Sequence, residues 1–331
     1  MKRIAIIGAG SWGTALAVVG ARAGQNVCLW SRNPEVISSI NERRVNSRYL
    51  TSTSIPDSVI ATGDIKAALA GASMVVLAAP SHASREVLIK MSPLLDEAAI
   101  IVSVSKGIEI ETGKRISEIA KEVLGNPHPF VCLSGPSFAK EVVKGHPTTI
   151  VAASKDSSAV RAVQNDLSFE NLRIYTNTDV IGTELGGSVK NVMAIAAGMA
   201  AGLGFGSNSV AALITRGLAE ITRLARREGA QMETLMGLAG LGDLVLTCTG
   251  SLSRNRFVGE ELGKGKTLEQ IVAELNEVAE GINTARAVKK LADRAGLEMP
   301  ITNEVNAVLY DGKPARDAVT ELMSRPLRDE A

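Results

Sequence analysis

The sequence predicts an α/β protein, with a doubly wound, mostly parallel sheet in its N-terminal part and an all-helical C-terminal domain. Three observations carry that prediction. A short apolar run, Ile4 to Ile7, feeds into Gly8-Ala9-Gly10-Ser11-Trp12-Gly13 and then into a small, helix-compatible run, Thr14 to Val19. Short β-branched runs recur down the first half with helical stretches between several of them, the alternation that builds parallel sheets. After about Asp179 the strand signal stops and helical runs take over.

Taken in order, the expected strands are Ile4–Ile7, Asn26–Trp30, Met74–Ala78, Ile100–Val104, Phe130–Leu133, Thr148–Ala152 and Leu172–Tyr175. The last ones lie closer together and depart from strict alternation. Helices are expected at Glu35–Asn41, Ile65–Leu69, Arg85–Met91 and Lys114–Val123. The second half reads as Gly182–Gly202, Ser209–Glu228, Leu268–Leu275, Thr284–Ala295, Thr302–Leu309 and Ala315–Met323, with stops at Gly229, Gly296 and Gly312-Lys313-Pro314. Residues 1–178 are therefore expected to form a Rossmann-like dinucleotide-binding domain and 179–331 a helical substrate domain. No Ser/Gly-rich linker divides them.

Strand, G-x-G-x-x-G, helix is the dinucleotide-binding fingerprint. Gly8 permits the tight turn, Gly10 lets the backbone approach a pyrophosphate, and Gly13 lets the helix press on the strand. The N–H groups and dipole at the helix start attract phosphate. Glycine triplets also mark ordinary turns, but here a second strand arrives at βαβ spacing. That strand ends in Trp30-Ser31-Arg32-Asn33, with no carboxylate before Glu35 to accept from a ribose 2′-hydroxyl. Arg32 can instead stack on adenine and pair with a 2′-phosphate, which favours NADP(H) over NAD(H). A solvated surface arginine is the alternative. Arg43, Arg44 and Arg48 follow in a basic stretch that is either part of the same field or a plain loop.

With 331 residues, 45% hydrophobic content and a formal charge of +1, the chain has no basic excess to suggest a nucleic-acid partner. No apolar run approaches the roughly 18 residues of a membrane span. The first strand begins at once, leaving no room for a signal peptide. Cys28, Cys132 and Cys248 are scattered and read as buried thiols in a reducing cytosol. His82, His128 and His146 are too few and too dispersed for a metal site, so no metal is expected.

Ligands of open α/β sheets bind beyond the carboxyl ends of the strands. One such end carries Ser81, a candidate helix N-cap, and His82, read as a turn histidine. Another carries Lys106 of Ser105-Lys106-Gly107, and a third carries Ser134-Gly135-Pro136-Ser137-Phe138-Ala139. Each could be a mere turn; together they outline one cleft. In the helical half, Gly187, Asn191, Ala194 and Gly198 share one small helix face suited to close packing. Lys190 stands beside it, and an ammonium among small apolar residues is costly unless paired or used; a surface lysine is the plain alternative. The small face leaves an intramolecular core and a dimer interface both open, and a homodimer is the expected assembly. Farther on, Gly240-Leu241-Gly242-Asp243-Leu244 precedes Ser253-Arg254-Asn255-Arg256, a phosphate cradle or an N-capped helix with a basic first turn.

At these residues the chain resembles the NAD(P)-dependent glycerol-3-phosphate dehydrogenases of the soluble bacterial type. The similarity runs nearly end to end, through GAGSWGTALA at 8–17, SKG at 105–107, SGPSFAKE at 134–141, GGSVKNVMAIAAGMAAGLGFGSN at 186–208, LITRGLAE at 213–220, GLAGLGDLVLTCT at 237–249, SRNR at 253–256, VAEG at 278–281 and MPI at 299–301. The resemblance implies interconversion of dihydroxyacetone phosphate and sn-glycerol 3-phosphate, serving phospholipid synthesis in the cytosol. It implies that Lys190 is the proton acceptor in oxidation. Cofactor contacts would be Ser11, Trp12, Arg32, Tyr49, Lys106, Ala139, Arg254, Val278 and Glu280, with Tyr49 in a loosely matching stretch. Substrate contacts would be Lys106, Gly135, Ser137, Lys190, Asp243, Ser253, Arg254 and Asn255.

The chemistry then asks for a cation to meet the charge developing on the ketone oxygen, with Lys190 as proton donor, Lys106 supplying field and Asp243 orienting Lys190. Arg254 and Asn255 would hold the substrate phosphate and so align the reacting carbon. A β-hydroxyacid or 6-phosphogluconate dehydrogenase is the competing enzyme reading, and a non-catalytic nucleotide sensor the competing reading of another class.

Overall fold

The computed structural model describes residues 1–125, 127–275 and 278–327. The chain divides into two compact units, one made of 1–106 and 114–184, the other of 107–113 and 185–331.

The first unit is built on an eight-stranded sheet: β1 (Arg3–Ile7), β2 (Asn26–Trp30), β3 (Val59–Thr62), β4 (Met74–Leu77), β5 (Ile100–Ser103), β6 (Phe130–Ser134), β7 (Thr148–Ala153) and β8 (Leu172–Asn177). Their spatial order is β3-β2-β1-β4-β5-β6-β7-β8. Every neighbouring pair is parallel except β6 with β7, where Leu133 stands opposite Ala152. The departure expected among the closely spaced last strands is this antiparallel step. The sequence runs from β1 outward to β2 and β3, then returns to β4 on the other side of β1. That reversal is the switch point at which α/β sheets open a crevice beyond their carboxyl ends.

Alternation along the strands splits the core in two. Ile4, Ile6, Val27 and Leu29 face one way, packed with Leu16 and Val18 of α1 (Ser11–Arg22), Val36 and Ile40 of α2 (Pro34–Arg43), and Val163 of a later helix. Ala5, Ile7, Val75 and Leu77 face the other way. There they meet Leu69 of α3 (Ile65–Leu69), Leu88 of α4 (Ser84–Met91) and Ile119 of α5 (Ile116–Leu124). Two short-spaced helices complete the unit, α6 (Ala139–Val143) and α7 (Ser157–Leu167).

Two details correct the sequence expectations. β3 went unforeseen because it is a four-residue edge strand with alternate residues turned outward, Ile60 among them. It is held by Asn41, whose Nδ2 donates to the Ala61 carbonyl at 2.9 Å while its Oδ1 accepts from the Ala61 N–H at 2.8 Å. Ser81 is not an N-cap: it lies buried inside a one-turn 3₁₀ segment that begins after Pro80.

Helix α8 (Val180–Gly202) contains the boundary between the units. The second unit continues with α9 (Ser207–Arg227), α10 (Met232–Met236), a π turn at Leu238–Gly242, α11 (Asp243–Thr249), α12 (Arg254–Gly263), α13 (Leu268–Glu274), α14 (Glu280–Ala295), α15 (Pro300–Tyr310) and α16 (Ala315–Ser324). The small face of α8 packs on α12 within the chain. A Cβ added at Gly198 would lie 2.0 Å from the Arg256 carbonyl, and one at Gly259 would lie 2.0 Å from that of Ile195, so the two backbones touch. Glu220 of α9 is buried against the start of α15. It accepts from the Ile301 N–H at 2.6 Å and from the Thr302 N–H at 3.2 Å.

Candidate active site

The turn after β1 is shaped by two glycines that the protein itself requires. Gly8 has φ +125°, and a Cβ there would come within 2.6 Å of the Ala78 carbonyl. A Cβ on Gly13 would sit 1.9 Å from the Gly8 carbonyl oxygen, which is how closely α1 approaches the strand end. Gly10 differs, because a Cβ there would meet no protein atom within 4 Å. Nothing in the fold demands a glycine at that position, whereas a pyrophosphate resting on the backbone does. Gly10 is also the N-cap of α1 and supplies no side-chain cap to the first-turn N–H groups. Both features fit a dinucleotide.

Around this turn the sequence-predicted residues are arranged as follows. Arg32 is exposed just beyond β2, while Ser31 beneath it is buried and accepts from the Asn33 N–H at 3.1 Å. Of the following arginines, Arg44 belongs to the scaffold. It has φ 56°, donates to the Val59 carbonyl at 2.9 Å and pairs with Asp57 at 3.0 Å. Arg43 and Arg48 are exposed. Tyr49 is brought to the glycine turn, its carbonyl accepting from Ser11 Oγ at 3.4 Å. At the end of β5, Ser105 Oγ donates to the Ala79 carbonyl at 2.6 Å, and Lys106 Nζ donates to the Gly135 carbonyl at 3.2 Å. Ser137 Oγ donates to the same carbonyl at 3.0 Å. Gly135 has φ +138° and no room for a Cβ, with Ile150 Cα 3.0 Å from where one would be. Lys106, Gly135 and Ser137 thus form one cluster, with Ala139 at the start of α6 following in the same turn.

The second unit contains a different kind of site. Lys190 lies on α8 with its side chain 7% exposed, and its Nζ donates to Asp243 Oδ1 and to Thr247 Oγ1, each at 2.6 Å. The Thr247 hydroxyl donates in turn to the Asp243 main-chain carbonyl at 2.6 Å, the one-turn-back bond open to a helical threonine. Asp243 is the first residue of α11 and reaches Lys190 because the π turn before it packs backbone to backbone on α8. A Cβ on Gly186 would be 2.6 Å from the Ala239 carbonyl, and one on Gly240 would be 2.1 Å from that of Leu235. Gly186 therefore sets how closely the π turn approaches α8, and Gly240 how closely that turn folds on α10. The surface-lysine alternative does not hold.

The Ser253-Arg254-Asn255 segment is an N-capped helix start. Ser253 Oγ accepts from the Arg256 N–H at 3.2 Å, and Arg254 is exposed. Asn255 is buried, with its Oδ1 accepting from the Gly281 N–H at 2.9 Å. That bond ties the start of α12 to the start of α14, where Glu280 is the first helical residue and Val278 is exposed just before it. Sequence reasoning assigned Asn255 to a ligand without foreseeing this bond. It also gave Thr247 no role. Thr247 had a signal, since it follows Asp243 by four residues and so shares its helix face.

Burial governs the thiols. It pushes Cys248 up to about 12, although Lys190 nearby works the other way, and it raises Cys132 well above the usual thiol range. Both stay protonated at neutral pH and are not nucleophiles there. Among the described residues there is no group of three or more His, Cys, Asp or Glu placed to hold a metal ion, and no helix long and apolar enough to cross a membrane.

The comparisons with known proteins agree from end to end. Residues 3–160 match the family model for the NAD-dependent glycerol-3-phosphate dehydrogenase N-terminus, and residues 179–320 match the model for its C-terminus. A glycerol-3-phosphate dehydrogenase (NAD(P)+) of Koribacter versatilis is 52% identical over 335 residues, covering 100% of this chain and 99% of its own. One from Citrifermentans bemidjiense is 49% identical, with 99% of each chain covered. The crystal structure of glycerol-3-phosphate dehydrogenase from Coxiella burnetii superposes with a TM-score of 0.95 at 42% identity, covering 98% of this chain and 99% of that one. By both halves of its sequence, this chain belongs to the NAD-dependent glycerol-3-phosphate dehydrogenase family.

Proposed function

We propose that the chain interconverts dihydroxyacetone phosphate and sn-glycerol 3-phosphate by hydride transfer, with NADP(H) preferred and NAD(H) accepted. One observation carries the chemistry: a lysine ammonium withdrawn from bulk water and fixed by a carboxylate and a hydroxyl at 2.6 Å each. When bound, the nicotinamide supplies or accepts the hydride at the substrate C2. The remaining work falls to the chain. Lys190 delivers a proton to the ketone oxygen in reduction and takes it back in oxidation. Asp243 and Thr247 fix the direction in which the amine points, so that no reorientation is needed as charge develops. Lys106 adds positive field in the same reaction, beside the Gly135 and Ser137 turn. Arg254 and Ser253 hold the substrate phosphate together with the Nδ2 group of Asn255, whose Oδ1 is kept by Gly281. The turn from Gly8 to Gly13 carries the pyrophosphate. Arg32 and Tyr49 lie toward the adenosine, and Ala139, Val278 and Glu280 are further cofactor contacts.

In this reading residues 1–178 bind the dinucleotide and residues 179–331 supply substrate binding and catalysis. The enzyme works in the cytoplasm as a homodimer, without metal, and supplies glycerol 3-phosphate to phospholipid synthesis. The direct test is a steady-state assay with dihydroxyacetone phosphate, run with NADPH and NADH side by side and against a panel of 2-keto and 3-keto acids. Oxidation of NADPH by the triose phosphate alone is expected. Turnover of the keto acids in its place would move the chain to a different dehydrogenase activity.

A further inference from the structure

The segment between α2 and β3 is tied to the glycine turn by one fully buried side chain, Asn46. Its Nδ2 donates to the Ala9 carbonyl at 3.0 Å and to Thr14 Oγ1 at 2.8 Å. Its Oδ1 accepts from the N–H groups of Arg48 at 3.3 Å and Tyr49 at 3.2 Å. An amide side chain has two donor hydrogens and one acceptor oxygen with two lone pairs, so the capacity of Asn46 is used in full. A buried group so completely engaged specifies one arrangement of everything it touches.

What it touches is the second peptide of Gly8-Ala9-Gly10, the one that joins Ala9 to Gly10. A trans peptide is planar, with its C=O and N–H pointing in opposite directions. Holding the Ala9 carbonyl on the buried Asn46 amide therefore directs the Gly10 N–H away from Asn46. Thr14 Oγ1 donates to the same carbonyl at 3.4 Å and reinforces the hold. On its other side Asn46 caps the turn that carries Tyr49, whose carbonyl receives Ser11 Oγ at 3.4 Å. One residue outside the fingerprint thus sets both the phosphate-facing peptide and the loop beside it.

We propose that Asn46 is a positioning residue for dinucleotide binding, acting on the pyrophosphate through the Ala9–Gly10 peptide. The inference rests on the reading that the turn from Gly8 to Gly13 holds a dinucleotide. Asn46→Asp is nearly isosteric and keeps the oxygen that caps Arg48 and Tyr49, but it replaces both donated bonds with a carboxylate facing two oxygens. Affinity for NADPH and for 2′-AMP, which has the adenine and 2′-phosphate but no pyrophosphate, would be measured by quenching of tryptophan fluorescence, alongside kcat and KM.

The expected result is a loss of NADPH affinity of about ten- to a hundred-fold, the size of a buried donor and acceptor left mismatched, with 2′-AMP affinity, kcat and the substrate KM within about two-fold. Parallel loss of both ligands would reduce Asn46 to general scaffolding, and undiminished NADPH binding would overturn the proposal. Should Asn46→Asp not fold, Thr14→Val removes one partner of the same amide, and the same selective loss is expected at smaller size. If wild-type protein itself fails to bind NADPH, the dinucleotide reading falls first, and that result is distinct from either outcome above.

Discussion

The glycine turn of the first unit and the Lys190 cluster of the second are built by opposite means. The turn is a matter of backbone: Gly8 and Gly13 are fixed by carbonyls that would collide with any Cβ, and its donors are main-chain N–H groups. The cluster is a matter of side chains, an amine, a carboxylate and a hydroxyl brought together across 57 residues of sequence. A backbone site is written as a short contiguous motif because its constraints are local. A side-chain site is written as scattered residues whose meeting depends on helix packing. The difference also governs how each fails. The turn fails by steric exclusion, and the cluster fails by leaving a charge buried without its partner.

The largest effect should come from Lys190. Lys190→Ala is expected to lower kcat by about a hundred- to ten-thousand-fold, the usual worth of a positioned acid–base group, with NADPH affinity within about two-fold. It also strands Asp243, 1% exposed, without a cation, at a cost of about 3–5 kcal/mol in stability. The double variant Lys190→Met, Asp243→Asn separates the two consequences. It should recover much of the lost melting temperature and none of the turnover. Normal kcat in either variant would remove Lys190 from the reaction.

Gly10 sharpens the contrast within the turn. Gly13→Ala should unfold or badly distort the first unit, since its Cβ would lie 1.9 Å from a carbonyl oxygen. Gly10→Ala should leave the melting temperature within about a degree or raise it slightly, because the site is open and alanine restricts the unfolded chain. Yet NADPH affinity should fall by about a hundred-fold, equivalent to losing two charge-assisted backbone bonds. If Gly10→Ala binds NADPH normally, the ligand lies elsewhere and Gly10 is an ordinary turn glycine.

Most of the architecture could be read from the sequence for the same reason that the turn could. Six of the strands, β1, β2 and β4 to β7, are apolar runs buried on both faces, and such runs stand out; the edge strand β8 buries one face only and was legible from its alternation. β3 did not stand out, because an edge strand of Val59-Ile60-Ala61-Thr62 buries one face and is fastened by Asn41, a side chain 20 residues away. In the second unit the region from Met232 to Thr249 hid two short helices and a π turn, since glycines at 237, 240 and 242 interrupt any helical period there. Gly240 in fact lets the turn fold back on α10, and it is Gly186 of α8 that lets Ala239 of the π turn come close ahead of Asp243. The pairing of Lys190 with a carboxylate could be anticipated from the cost of an amine among alanines and glycines; the share taken by Thr247 was signalled only by its place one helical turn after Asp243. Asn46 was invisible for a different reason. It stands in a stretch with no periodicity, and its importance appears only when the Ala9 carbonyl is seen turned toward it.

Arg32 is the side chain proposed to extend the turn's grip to the adenosine, and its effect should be smaller. It is exposed beyond β2, with no carboxylate before Glu35. Arg32→Asp is expected to move the ratio of kcat/KM for NADPH over NADH by about ten-fold toward NADH, the scale of one charge-assisted contact, with kcat little changed. The assay is the same pair of cofactor titrations on both proteins. An unaltered ratio would make Arg32 a solvated surface charge.

The smallest expected effect concerns a second buried carboxylate of the helical unit, one that is held without the close ion pair of Asp243. Glu220 is surrounded by the N–H groups of Ile301 and Thr302 and the Thr302 hydroxyl. Burial raises its carboxyl above the usual range, and those donors offset the rise in part. The folded state therefore binds this proton more tightly than the unfolded one does. Its contribution to stability is complete below the ordinary carboxylate value and declines as pH climbs through the raised one. Glu220→Gln carries no such proton, so its stability lacks this term at every pH. Urea unfolding midpoints of the two proteins, followed from about pH 4 to about pH 7, should differ most in favour of the wild type at the acid end, with the advantage shrinking upward. An advantage that grew with pH would mean that the backbone donors outweigh burial and that Glu220 favours its charged form, as a carboxylate facing a close cation does.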